Sequence, residues 1–99
     1  MKSQLICSLI LSLLAFGASA NPNAAEQKAA ACAACHGATG VSAVPMYPNL
    51  ASQKAAYLEK QLKAFKSGDR ADPTMNAMAK SLSDADIKLL AEYFSTMKR

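Results

Sequence analysis

The stretch Ala31-Cys32-Ala33-Ala34-Cys35-His36-Gly37 decides how the rest of this chain is read. Cys-x-x-Cys-His is the spacing at which two thiols add across the two vinyl groups of a haem while the adjacent imidazole reaches the iron. The two intervening residues match the separation of the vinyl carbons, and the histidine directly after the second thioether is held over the ring. His36 is the only histidine in the chain, so its place beside Cys35 carries weight.

Two other chemistries use cysteines at this spacing. A thioredoxin-like pair should follow a strand in a βαβ pattern, and no segment here reads as a strand. A structural zinc site needs four ligands, whereas the chain past residue 20 offers Cys32, Cys35 and His36 alone among cysteines and histidines.

Upstream of the motif, Met1-Lys2 is a short basic start, Leu5 to Phe16 is an apolar run, and Ala18-Ser19-Ala20 is a small-x-small cleavage pattern. Residues 1–20 are therefore expected to be a secretory signal and residues 21–99 the domain. An uncleaved anchor would need roughly 20 apolar residues, more than the run supplies. Cys7 lies inside that run, where it leaves with the signal. Export agrees with the motif, because bacteria attach c-type haem outside the cytoplasm; the expected location is the periplasm.

Downstream, the apolar pattern is helical throughout. Ala24 to Ala34 is an alanine-rich first helix expected to end at the Cys35-His36-Gly37 turn. Residues 37–52, broken by Gly40, Pro45 and Pro48, read as a long loop. Lys54 to Lys66 places Leu58, Leu62 and Phe65 on one face, with Ser67-Gly68 as its stop. Asp69 to Leu82, with Pro73, Met75 and Met78, reads as a second irregular stretch. Ser83 and Asp86 form a capping box for a last helix over residues 84–97, carrying Ile87, Leu90, Phe94 and Met97. The expectation is an all-α domain of three main helices and two long loops, short of large apolar residues and needing a cofactor to fill its middle.

The 99-residue chain has a formal charge of +4, which drops by one when Lys2 leaves with the signal. So mild a balance excludes a nucleic-acid binder, which needs a dense basic patch. Lys54, Lys60, Lys63, Lys66 and Arg70 are candidates for steering an acidic partner. With Glu59 among them, a solvated helix face is the simpler interpretation.

With these motifs in place, the chain resembles class I cytochromes c, in particular the short bacterial soluble monohaem forms and the haem domain of di-haem cytochromes c. The likeness runs from Cys-Ala-Ala-Cys-His-Gly through Pro45-Met46-Tyr47-Pro48-Asn49-Leu50-Ala51, Tyr57-Leu58 with Gln61-Leu62, and Met75-Asn76-Ala77-Met78. It continues through Leu82-Ser83-Asp84 to Ala91-Glu92-Tyr93-Phe94.

The resemblance implies a cytochrome c fold around one covalent haem c, attached through Cys32 and Cys35 with His36 on the iron. It implies that Pro48 offers its carbonyl to the outer imidazole nitrogen, and that Tyr93 and Phe94 pack near Ala29 and Ala30. A sixth ligand from methionine would make the His/Met pair. Met97 lies on a core stripe and Met46 sits between two prolines close to His36. Spacing does not separate Met75 from Met78; the resemblance implies Met75, with Met78 packing on the haem.

The function so implied is one-electron transfer between redox partner proteins by a monomer with no membrane-spanning segment, and not catalysis. A haem ligand sensor or peroxidase-like domain with an open sixth position remains the alternative, as does a dedicated cytochrome subunit of a periplasmic dehydrogenase.

Overall fold

The computed structural model describes residues 23–99. The expected signal and its cleavage point lie outside the described residues. Within them are four helices and no strand: α1 (Ala24–His36), α2 (Ala55–Ser67), α3 (Pro73–Lys80) and α4 (Asp84–Ser95). Helix α2 packs against both α3 and α4, and α1 packs against α4.

The helices expected from periodicity are present with shifted ends. In α2, Leu58 and Phe65 are buried and Leu62 is half-buried. The helix closes on Gly68, at φ 87°, whose N–H donates to Ala64. Helix α4 opens on the expected capping box: the Ser83 hydroxyl accepts from the Asp86 N–H and the Asp86 carboxylate accepts from the Ser83 N–H, both at 3.0 Å. It stops at Ser95, so Met97 lies beyond the helix, although it still packs on the core.

Two expectations are corrected. Helix α1 does not end at Ala34 but runs through His36, because nothing before Gly37 obstructs the helical turn. The stretch from Asp69 to Leu82 is not irregular throughout; it contains α3, making four helices and not three. Pro73 occupies the first turn of α3, where its missing N–H costs no bond. The Asp72 carboxylate before it accepts from the Met75 N–H at 2.9 Å and caps the helix.

The core is thin. Ala29, Leu58, Leu90, Ala91 and Phe94 form its central cluster. Of the nine buried apolar residues among those described, four are alanine. Ala29 and Ala91 allow α1 and α4 to approach closely. Phe94 shares the buried cluster with Ala29, Tyr93 packs on it, and both aromatics line one hollow with Ala29 and Ala30, the neighbourhood the resemblance implied.

The segment between α1 and α2 is irregular but tied down. The Gly40 carbonyl accepts from the Leu50 and Ala51 N–H groups at 2.8 and 2.9 Å. The Asn49 side chain accepts from the Ser42 N–H at 2.7 Å. The Ser52 N–H and the Arg99 guanidinium connect the segment to the chain's end, donating to Phe94 at 3.2 Å and from Arg99 to Ala51 at 3.1 Å.

Candidate haem site

Extending α1 through His36 has a direct consequence for the motif. Residues at i, i+3 and i+4 of one helix share a face, so Cys32, Cys35 and His36 project from the same side of the last turn of α1. Cys32 packs against the central core cluster and both cysteines are half-buried free thiols. Burial pushes the Cys32 thiol above its ordinary value, opposed by a hydrogen bond to its own backbone.

His36 is buried, with 7% of its surface exposed. Its Nδ1 lies 2.7 Å from the Pro48 carbonyl oxygen, and Tyr47 meets the imidazole edge-on with ring centroids 6.3 Å apart. A carbonyl only accepts, so Nδ1 must carry the proton. In the neutral ring the lone pair then resides on Nε2, the atom available to a metal. Pro48 is exposed and engages His36 through its backbone.

The residues across from α1 come from α3. An apolar cleft is lined by Cys32, Leu62, Met75, Met78, Leu82 and Leu90, among others. It brings Cys32 of α1 together with both methionines of α3, while Cys35 and His36 are not among its lining residues. Met75 is half-buried, whereas Met78 is 42% exposed and Met46 76% exposed.

Among the described residues, no three His, Cys, Asp or Glu side chains converge as a protein-built metal site requires. The donor set fits a haem better: two thiols, one imidazole with Nε2 free, and the thioethers of Met75 and Met78 in the cleft that Cys32 also lines, for a ring that brings its own four nitrogens. The order of events in the sequence left two parts of this arrangement unseen. One is the edge-on contact of Tyr47; the other is the Asp72 cap on α3, whose signal was the Asp-Pro pair itself.

The candidate steering cations are exposed, but two are engaged within the chain. Lys63 donates to Glu59 at 3.0 Å, while Arg70 donates to Gln61 at 2.8 Å and stacks over Phe65 at 4.6 Å.

The family model for cytochrome c matches residues 23–98, from the first residue described to the penultimate one. This chain belongs to the cytochrome c family.

It is 44% identical over 78 residues to cytochrome c-554(548) of Halomonas halodenitrificans, covering 76% of this chain and 94% of that one. It is 40% identical over 99 residues to cytochrome c4 of Pseudomonas aeruginosa, covering 97% of this chain but 49% of that one. Among solved structures, reduced recombinant cytochrome c4 from Pseudomonas stutzeri superposes with a TM-score of 0.63 at 36% identity, covering 68% of this chain and 38% of that one. The chain thus spans nearly the whole of one relative and about half of cytochrome c4.

As a cytochrome c, the protein is an all-α electron carrier and not an enzyme. It carries haem c covalently, and its function requires redox partners. No helix of the described residues is long and apolar enough to cross a membrane.

Proposed function

We propose that the chain is an exported, monomeric one-electron shuttle. In this reading Cys32 and Cys35 would hold the haem as thioethers, His36 and Met75 would bind its iron, and residues 1–20 are removed on export to the periplasm. The observation that carries it is the 2.7 Å bond from His36 Nδ1 to Pro48, on a helix face shared with both cysteines.

Each residue has a definite part. The Pro48 carbonyl selects the tautomer that leaves Nε2 free and fixes the ring plane, while making the imidazole a stronger donor. The cysteines hold the group through covalent bonds that do not depend on the iron's oxidation state. Met75, its backbone held by the Asp72 cap, would offer the iron a soft thioether. The lower exposure of Met75 supports it over Met78 and Met46. The haem supplies one-electron chemistry at iron, whose potential a His/Met pair raises.

Spectra of the oxidised and reduced holoprotein test the scheme. Six-coordinate low-spin iron in both states is expected, and Met75→Ala should lose that state and lower the potential while Met78→Ala keeps both. High-spin iron that binds carbon monoxide readily in the unaltered protein would favour a ligand-binding domain. Retention of low-spin iron in Met75→Ala with its loss in Met78→Ala would move the ligand to Met78. The intact mass of the exported protein should equal residues 21–99 plus one haem.

A further inference from the structure

Helix α3 has little to hold it by burial. It is eight residues long, too short to persist alone, and Ala79 is its one buried residue. Its position must come largely from polar contacts at its first turn, and these converge on one side chain. The Asn76 Nδ2 donates to the Phe65 carbonyl at 2.8 Å and to the Arg70 carbonyl at 2.9 Å. Its Oδ1 accepts from the Asp72 N–H at 2.8 Å. Two carbonyls on one side and an N–H on the other admit a single orientation of the amide. The Asn76 N–H also donates to the Asp72 carbonyl at 2.7 Å.

These bonds join three segments. Phe65 lies in the last turn of α2, where carbonyls have no partner within the helix. Arg70 lies in the connection and is itself fixed over the Phe65 ring. Asp72 caps α3 through the N–H of Met75, the residue next to Asn76. We infer that Asn76 is a positioning residue for the sixth iron ligand: it locks the first turn of α3 to the last turn of α2 and thereby keeps the Met75 thioether in place over the cleft. The inference rests on the reading of Met75 as the ligand.

Positioning differs from general stabilisation in what it controls. If the amide holds Met75, its loss weakens the sulfur–iron bond in competition with an added ligand, beyond any effect on global stability. The control is Ser83→Ala, which removes the cap of α4 and weakens the fold away from Met75.

The experiment titrates ferric holoprotein with imidazole and follows the methionine-to-iron charge-transfer band. Asn76→Ala should bind imidazole about tenfold more tightly than the unaltered protein, a loss on the scale of one or two hydrogen bonds. Ser83→Ala should bind it as the unaltered protein does. Asn76→Ser keeps a short hydroxyl able to donate and accept in place of the amide, and is expected to fall between; it serves as the readout if Asn76→Ala fails to load haem. Equal imidazole affinity in the Asn76 variants and in Ser83→Ala overturns the positioning role. Met75→Ala separates the two levels: a charge-transfer band that survives it overturns the ligand assignment, and the inference with it. A band lost in Met75→Ala, with Asn76 variants that behave like the control, overturns the inference alone.

Discussion

His36 Nδ1 donates to the Pro48 carbonyl at 2.7 Å across twelve residues, so the orientation of the imidazole depends on the conformation of a loop. Pro48→Ala keeps the carbonyl but removes the ring that limits the loop's freedom when unfolded, a loss of about 0.4–1 kcal/mol. A looser bond makes the imidazole a poorer donor to Fe(III), so the reduction potential should rise. Redox titration alongside denaturant unfolding checks both effects, and a potential that falls would contradict the proposed role of the bond.

The thinness of the core leads to a second expectation. Beyond four alanines, the buried apolar residues are Leu58, Phe65, Ile87, Leu90 and Phe94, each contributing about 1.5–3 kcal/mol. Domains of this size commonly need a staple, and here the haem would supply it. Apoprotein with Cys32→Ala and Cys35→Ala should show no cooperative thermal transition by far-ultraviolet circular dichroism. A sharp transition would mean that the helices order themselves without the cofactor.

What the sequence disclosed depended on the kind of signal. Leu58, Leu62 and Phe65, and Ile87, Leu90 and Phe94, repeat at helical spacing, so α2 and α4 were legible. The Ser83–Asp86 box marked where α4 begins to the residue. Cys32, Cys35 and His36 stood out by spacing alone. Helix α3 was hidden because Pro73 and two methionines look like a loop, and its single buried residue, Ala79, leaves no apolar period. The end of α1 was misplaced because alanine continues a helix without recording which face is buried. The contacts of Asn76 were illegible for another reason: its partners are backbone carbonyls at residues 65 and 70, and backbone partners leave no trace in residue type.

Gly37 closes the motif in a conformation that side chains rarely tolerate. Its φ is 87° with ψ 146°, and a Cβ there would collide with the Val41 carbonyl. Gly37→Ala should therefore cost about 1–3 kcal/mol from the backbone alone, with further loss as the loop shifts away from His36. Thermal melts of the holoprotein give the first quantity, and a disturbed imidazole orientation, read by the paramagnetic spectrum of the ferric form, gives the second. A variant as stable as the unaltered protein would show that the loop can relax around the added carbon.

The last expectation concerns acid. Asp86 sits in the first turn of α4, where the Ser83 N–H holds its carboxyl below the ordinary value of 3.8; desolvation opposes this, and the Ser83 hydroxyl and the nearby Lys28 ammonium add smaller downward pulls. Lys28 reaches it at 3.3 Å, tying α1 to the start of α4. Because the folded pKa is the lower one, the stabilisation is complete above about pH 5. It fades as the pH falls below the unfolded value and through the depressed folded one. Asp86→Asn keeps an acceptor for the Ser83 N–H but removes the charge. Its stability should lie below that of the unaltered protein at neutral pH and converge with it towards pH 2. Ser83→Ala should lose about 1 kcal/mol at neutral pH. Denaturant unfolding of the three holoproteins from pH 7 downwards decides the matter: a gap between Asp86→Asn and the unaltered protein that stays constant with pH would show that the carboxylate's charge contributes nothing to the fold.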